Sequence, residues 1–369
     1  MKITFPHMGN VYVAAKALLE DLGNEVIVPP KCSKKTLELG TKYSPETICL
    51  PFKINIGNYI ESIEKGADTI LITGSCGPCR FGYYSVIEKE ILHDLGYDVE
   101  IIVFDPPDGK PMELVKRIMK ATNTKNVAKI LRSLVRGKKV LEKVDELTDI
   151  ANKKRPRAIN GYEVDMIIDE FHREVRKVYG VEQIIDKIKY AREKLENVEI
   201  EKNKEVYKVG IVGEIYTIIE PFVNLEIERK LGHLGVEVDK SLTPTKWVKH
   251  HLFSGPIGSK EENKKIEAAK PYLKAMVGGH GRETVGSAVI YAEEGYDGII
   301  QLLPLTCMPE IVAESILPAI QRDYGVPIMT LIVDEMTGEA GYLTRLEAFV
   351  DLLKKRKEDK NIEKLLFGN

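Results

Sequence analysis

Apolar and polar positions follow two rhythms along the chain. Over residues 1–107, the short apolar runs KITFP, EVIVP, DTILITG and DVEIIVFD read as strands. Between them, VYVAAKALLEDLG, NYIESIEKG and FGYYSVIEKEILHDLG repeat apolar residues at helical spacing. Strands separated by single helices build βαβ units and hence a parallel sheet. Over residues 108–205 the strand runs vanish. GKPMELVKRIMKATN, AKILRSLVRGKKVLEKVDELTDIANKK and VEQIIDKIKYAREKLENVE keep helical periodicity with dense charge, which predicts a helical connector packed against one or both lobes. Over residues 206–369 the alternation resumes with the strands YKVGIVGEIY, VEVDKSL, YDGIIQLLP and VPIMTLIVD. The helices FVNLEIERKLGHLG, ETVGSAVIYAEEG and PEIVAESILPAIQRDYG separate them, and TRLEAFVDLLKKRK closes the chain as a terminal helix. The pattern predicts an α/β protein of two parallel-sheet lobes on one plan.

Composition narrows the setting. Of 369 residues, 43% are apolar and 30% charged, and the net charge of −2 gives no footprint for nucleic acid and no polybasic membrane patch. No run approaches the roughly 18 apolar residues of a membrane span. The opening MKITFPHMGN lacks the basic start and long apolar core of a secretory signal, so a cytoplasmic protein is expected.

The five cysteines are too few for a disulfide scaffold, and four of them, Cys32, Cys49, Cys76 and Cys79, crowd the first quarter. Cys32, in PPKCSKK, reads as a small buried hydrophobe. The others follow apolar segments. TILITG leads to Cys76-Gly77-Pro78-Cys79, GIIQLLP leads to Thr306-Cys307-Met308-Pro309-Glu310, and Cys49 stands ahead of a helix in ETICLPFKINIGNYIE. The carboxyl ends of parallel strands line a ligand crevice, so facing lobes can bring Cys49, Cys76, Cys79 and Cys307 together. Thiolates suit zinc or iron–sulfur clusters, and Gly74, Gly77 and Gly82 let backbone N–H groups approach such anionic sulfur.

Three readings compete for this set. A metal-free thiol–disulfide pair uses Cys-Gly-Pro-Cys between strand and helix, but leaves Cys49 and Cys307 without a role. A structural zinc site wants four ligands that close a small fold, whereas Cys307 lies far along the chain in another lobe. A cluster in the interlobe cleft employs all four. Spacing alone does not settle the matter.

Other residues after strands are candidate catalytic groups. His280 and Glu283 lie with Arg282 in the Gly-rich turn MVGGHGRETVG, which suits an anion, a carbonyl or cluster sulfurs, or else a plain helix cap. Glu214 lies with Tyr216, Glu220 and Asn224 in GEIYTIIEPFVN, and His7 and Asn10 lie in FPHMGN; both stretches read as site lining or turn chemistry. Asp334 and Glu335 read as acid/base groups or as the polar end of a strand. The chain carries neither a G-x-x-x-x-G-K-[ST] phosphate loop nor a strand-linked G-x-G-x-x-G fingerprint, so no ATP or NAD site is expected in it.

Taken together, FPHMGN, PPKCSKKTLELG, ICLPFKINIGNYIE, GSCGPCRFGYY, VGEIYTIIEPFVN, VGGHGRETVG, LLPLTCMPEIVAESILP and DEMTGEAGYLTRLEAF resemble the iron–sulfur proteins related to 2-hydroxyacyl-CoA dehydratase subunits. The similarity is to the branch labelled acyl-CoA dehydratase activase-related, or CoA protein activase. The resemblance implies two Rossmann- or flavodoxin-like lobes with an oxygen-sensitive cluster between them. It implies as ligands Cys49, Cys76, Cys79 and Cys307, from ICLPFK, GSCGPC and TCMPE. Four thiolates suit a single [4Fe-4S] cluster better than a double-cubane cluster. The resemblance also implies partners: a separate ATP-hydrolysing activator of the sugar-kinase/actin type as electron donor, and a related second subunit or further copies of this chain. Because the chain lacks the phosphate-binding signatures of an activating ATPase, it is expected to be the electron acceptor or an accessory, non-catalytic scaffold. The reaction implied is a reductive or dehydrating step of the 2-hydroxyacyl-CoA dehydratase type. Cys49, apart from the CxxC pair, is the ligand whose presence decides between a closed cluster and one with an open iron.

Overall fold

A computed structural model describes residues 1–74, 79–104, 111–122, 124, 126–249 and 260–367. Cys76 and the expected junction at residues 107 and 108 lie outside the described residues. The first sheet contains β1 (Lys2–Thr4), β2 (Glu25–Val26), β3 (Thr69–Thr73) and β4 (Glu100–Phe104), all parallel, in the order β2-β1-β3-β4. Its helices are α1 (Val11–Asp21), α2 (Lys34–Tyr43), α3 (Leu50–Glu64) and α4 (Tyr84–Asp94). The helical stretch follows, as α5 (Pro111–Lys120), α6 (Val127–Lys154), α7 (Gly161–Val175) and α8 (Gly180–Asn197).

The second sheet repeats the topology with β5 (Tyr207–Gly213), β6 (Val236–Lys240), β7 (Gly298–Pro304) and β8 (Ile328–Val333), again parallel, in the order β6-β5-β7-β8. Around it lie α9 (Ile215–Ile219), α10 (Ile227–His233), α11 (Pro244–Val248), α12 (Lys260–Ala269), α13 (Gly281–Glu293), α14 (Met308–Tyr324) and α15 (Glu339–Phe367). Two parallel four-stranded sheets with covering helices make the chain an α/β protein of two Rossmann/flavodoxin-like lobes. Every residue of β7 is buried, as expected of a strand covered on both faces. Among the described residues, no helix is long and apolar enough to cross a membrane.

The helices between the sheets share cores with their surroundings. Val140, Leu147, Phe171 and Ile184 from α6, α7 and α8 pack in one cluster with Ile3, Val13 and Ala17 of the first lobe. Helix α6 also touches β6 and α11 of the second lobe. Conversely, Leu50 and Ile54 of α3 join the core built on β5, β7 and β8. Helix α3 is buried from Leu50 through Ser62, its polar Lys53, Asn55, Asn58, Glu61 and Ser62 included, so it lies deep between its neighbours.

Glycines set how closely α3 is approached. A Cβ on Gly57 would lie 1.9 Å from the Thr36 carbonyl oxygen of α2, and one on Gly40 would lie 1.7 Å from the Lys53 carbonyl oxygen. Gly57→Ala is therefore expected to cost about 3 kcal/mol, because rigid backbone must part to admit one methyl group. Urea denaturation checks this; an unchanged midpoint would show that the two helices separate freely.

Among the local outcomes that differ from the pattern reading, three bear on the packing of the lobes. Helix α2 was not anticipated in its polar stretch; a capping box between Ser33 and Thr36 starts it. Helix α3 begins at Leu50, eight residues before the expected NYIESIEKG, with Pro in its first turn. Helix α10 is shorter than FVNLEIERKLGHLG, because Leu225 and Glu226 adopt φ of 54° and 55°, in the left-handed region that interrupts a right-handed helix.

Candidate functional site

In both sheets the strand order reverses beside the first strand of the lobe, between β1 and β3 and between β5 and β7. Ligands of open α/β sheets bind at such switch points, outside the carboxyl ends of the strands. A cavity of about 300 Å³ lies there, lined from both lobes, and Cys49, Cys79 and Cys307 all border it. Cys79 follows β3 and Cys307 follows β7, so the two occupy corresponding places in the two lobes.

Each of these cysteines stands at the start of a helical segment. Cys49 is the N-cap of α3 and Cys307 the N-cap of α14, each followed by Pro in the first turn, and Cys79 precedes the 3₁₀ turn Arg80–Tyr83. The unpaired N–H groups of a first turn favour anionic sulfur. One cation ties the three segments together. Arg80, next to Cys79, donates to the carbonyl oxygen of Thr47 at 2.9 Å. It also donates to the carbonyl oxygen of Thr306 and, at 3.1 Å, to its hydroxyl. Thr47 lies two residues before Cys49, and Thr306 directly precedes Cys307. Thr306 has φ of 67°, a strained backbone for a β-branched residue, at the point where the chain turns Cys307 toward the cavity.

The Gly-rich turn before α13 closes another wall. A Cβ on Gly281 would lie 2.4 Å from the Pro309 carbonyl oxygen, and one on Gly279 would lie 3.0 Å from the Pro309 ring and 3.8 Å from Cys79 Sγ. These glycines let the turn lie against the first turn of α14 and the Cys79 sulfur. His280, Arg282 and Glu283 of this turn line the cavity.

Burial pushes all three thiols up. For Cys49 it outweighs the hydrogen bond with Tyr84, whose hydroxyl is 2.6 Å from Sγ. For Cys79 it outweighs a backbone N–H from Phe81. For Cys307 burial and the neighbouring Glu310 raise the value furthest. A metal taken up here has to displace thiol protons, so its affinity rises with pH.

Carboxyl groups surround the sulfurs. Burial raises Glu214, although its oxygens accept from the N–H groups of Tyr216 and Thr217 at 3.0 Å each, as the cap of α9. Burial also raises Glu283. Glu310, not singled out as a candidate from the sequence, is wholly buried and is pushed up to about 8 by desolvation, against hydrogen bonds from Gln301 and Thr284. Its only signal in the sequence was its place in the first turn after Cys-Met-Pro.

Tyr216 also lines the cavity and donates its hydroxyl to the His7 carbonyl oxygen at 2.7 Å, whereas the other candidates lie apart from it. His7 and Glu220 meet across the lobes, Nδ1 to Oε2 at 2.8 Å, with Cys32 beside them. The three form a buried His/Cys/Glu group of the kind that binds metal ions. Arg176, however, is 3.2 Å from His7 Nε2. A guanidinium only donates, so Nε2 accepts and the ring proton sits on Nδ1, directed at Glu220. His7 has no lone pair left for a metal, and the group works as a hydrogen-bonded latch. Cys32 is buried as expected, its thiol raised by desolvation and by the Glu220 charge. Asn10 donates to Thr148, and Asn224 to the carbonyl oxygens of Thr217 and Ile218. Asp334 caps its own turn through Met336 and Thr337, while Glu335 pairs with Lys53 of the other lobe.

With this geometry in place, comparison with known proteins adds one finding. Residues 6–73 match the family model described as CoA enzyme activase uncharacterised domain (DUF2229). No curated protein matches the chain. The matched segment holds Cys32 and Cys49 and ends before the Cys76/Cys79 pair. It agrees with the activase-related part of the resemblance and is silent on dehydratases.

Proposed function

We propose that the cavity holds a [4Fe-4S] cluster on Cys49, Cys79 and Cys307, with Cys76 as the further ligand. The protein then accepts low-potential electrons from a separate ATP-hydrolysing activator of the sugar-kinase/actin type. The reaction served is a reductive or dehydrating step of the 2-hydroxyacyl-CoA dehydratase type. The observation that carries this reading is that three cysteines from distant parts of the chain border one cavity between two lobes.

The donor set fits the group. Sulfur is the preferred ligand of iron–sulfur clusters, and three helical N-termini plus the Arg80 guanidinium offset the negative charge that four thiolates and sulfide bring. When bound, such a cluster supplies one-electron transfer. The chain's own residues set its surroundings. Tyr84 donates a hydrogen bond to the Cys49 sulfur, Arg80 holds the cysteine segments in register, and Glu310, pushed up to about 8 by burial, retains a proton close by. The rim gives a donor protein something to touch, since Tyr83, close in the chain to Cys79, and Leu305 and Met308, which flank Cys307, expose large apolar side chains.

Purification without air, followed by iron and sulfide assays and an EPR spectrum of the dithionite-reduced protein, tests the reading. About four iron and four sulfide per chain is the expected result. A colourless protein in which Cys76 and Cys79 form a reversible disulfide would overturn it in favour of metal-free thiol chemistry. A loaded protein that takes no electrons from any ATP-hydrolysing activator would be a scaffold.

A further inference from the structure

Glu88 of α4 is completely buried and belongs to the first lobe, whereas Glu214, Glu283 and Glu310 belong to the second. Its Oε1 accepts from Asn55 Nδ2 of α3 at 3.2 Å. Among the described residues its Oε2 meets no hydrogen-bond partner, and the same holds for Asn55 Oδ1 and the Tyr59 hydroxyl. Asn55 and Tyr59 lie one turn apart on α3, and Tyr84 and Glu88 lie one turn apart on α4. The apolar side chains of these two helices belong to one core cluster. Asn55 also lines the thiol cavity. A carboxyl with a bare oxygen, in a place where leucine would pack, costs stability unless water and a proton complete it.

We infer that Glu88 is a charge-compensating proton acceptor coupled to the thiol cavity through Asn55, with ordered water completing Glu88 Oε2, Asn55 Oδ1 and the Tyr59 hydroxyl. Burial pushes Glu88 up to about 8, against the Asn55 hydrogen bond, so it holds its proton at neutral pH. Because Oε1 accepts from Asn55, the proton sits on Oε2, the oxygen without a partner among the described residues. From α3 the carboxyl faces Asn55 and Tyr59, and on its own helix Tyr84 lies one turn back. Burial raises both phenols well above their ordinary value, so they stay neutral and do not compete for the proton. When an external reductant places one electron in the cavity, the added negative charge is balanced by one proton. Above its own pKa, the Glu88 carboxylate takes that proton from solvent and becomes the neutral acid.

The first test needs no cluster. Infrared spectra of the metal-free protein, taken two pH units below and two above the Glu88 value, should show a neutral carboxylic-acid band that Glu88→Gln diminishes. Identical spectra for the two proteins would overturn the inference. The second test rests on the proposed function. In cluster-loaded wild type, the midpoint potential should fall by about 59 mV per pH unit above pH 8, the one-electron value for a tenfold change, and stay flat in Glu88→Gln. Equal slopes would also overturn it. Asn55→Leu should keep the infrared band and slow proton uptake after reduction; an unchanged rate would remove Asn55 from the route. A protein that binds no cluster would defeat the proposed function alone, and the infrared arm would still decide about Glu88.

Discussion

Cys307→Ser, purified without air, is expected to lose the iron of the proposed cluster while both lobes stay folded. Cys307 is the one cysteine that the second lobe brings to the cavity, and it stands at the N-cap of α14 under the strained Thr306. A serine hydroxyl there keeps the shape of the side chain but is a hard donor that does not give up its proton as a thiol does. Burying that hydroxyl costs about 1–3 kcal/mol, less than the stability of a typical domain. Iron and sulfide content and far-UV circular dichroism measure the two halves of the prediction. Cys32→Ser is the control: Cys32 lies beside His7 and Glu220, away from the cavity, so its loss should leave iron content unchanged. Wild-type iron in Cys307→Ser would refute the two-lobe site.

Much of this site was legible because its residues follow strands, and strands announce themselves. The runs TILITG and GIIQLLP were readable as strands from their apolar character, so the cysteines behind them fell at the carboxyl ends of parallel sheets. Their convergence in one cavity needed only that the lobes face one another. What the pattern did not reveal has a common cause. Glu88 carries no local signal, and Glu310 none beyond its place after Cys-Met-Pro, because a single buried carboxyl interrupts an apolar face as any exposed glutamate would. The Arg80 bridge between Thr47 and Thr306 joins residues 259 positions apart. Nothing in either segment names the other. The left-handed pair Leu225 and Glu226 likewise violates local preference, and only the contacts around it hold it there. The same contacts explain why the expected helix before Ile227 did not form.

Glu220→Ala is expected to destabilise the folded chain by roughly 1–3 kcal/mol for each buried N–H that loses its acceptor. Glu220 and His7 come from different lobes and are almost wholly buried. Besides the imidazole, Glu220 accepts the Gly9 N–H at 2.8 Å and the Phe222 N–H at 3.3 Å. Its removal leaves the His7 N–H and the Gly9 N–H without acceptors in the interior. Gly9 cannot adjust, because it has φ of +45° and a Cβ there would lie 2.0 Å from the Ile219 carbonyl oxygen of the other lobe. The pH dependence follows in sign. Burial works to raise the Glu220 pKa, but His7 and the two backbone N–H groups outweigh it, and the value lies below the ordinary carboxyl range. A depressed carboxyl contributes its stability fully above the unfolded value of about 4.3, and that contribution is lost as pH falls through the folded value. The gap between wild type and Glu220→Ala should thus be widest near neutrality and shrink in acid. Urea denaturation of Glu220→Ala, His7→Ala and the double variant at neutral and acidic pH measures both the coupling and its loss. Additive effects at neutral pH would show that the lobes are held together elsewhere, leaving Lys53 with Glu335 and the Arg80 bridge as the contacts that align the cysteines.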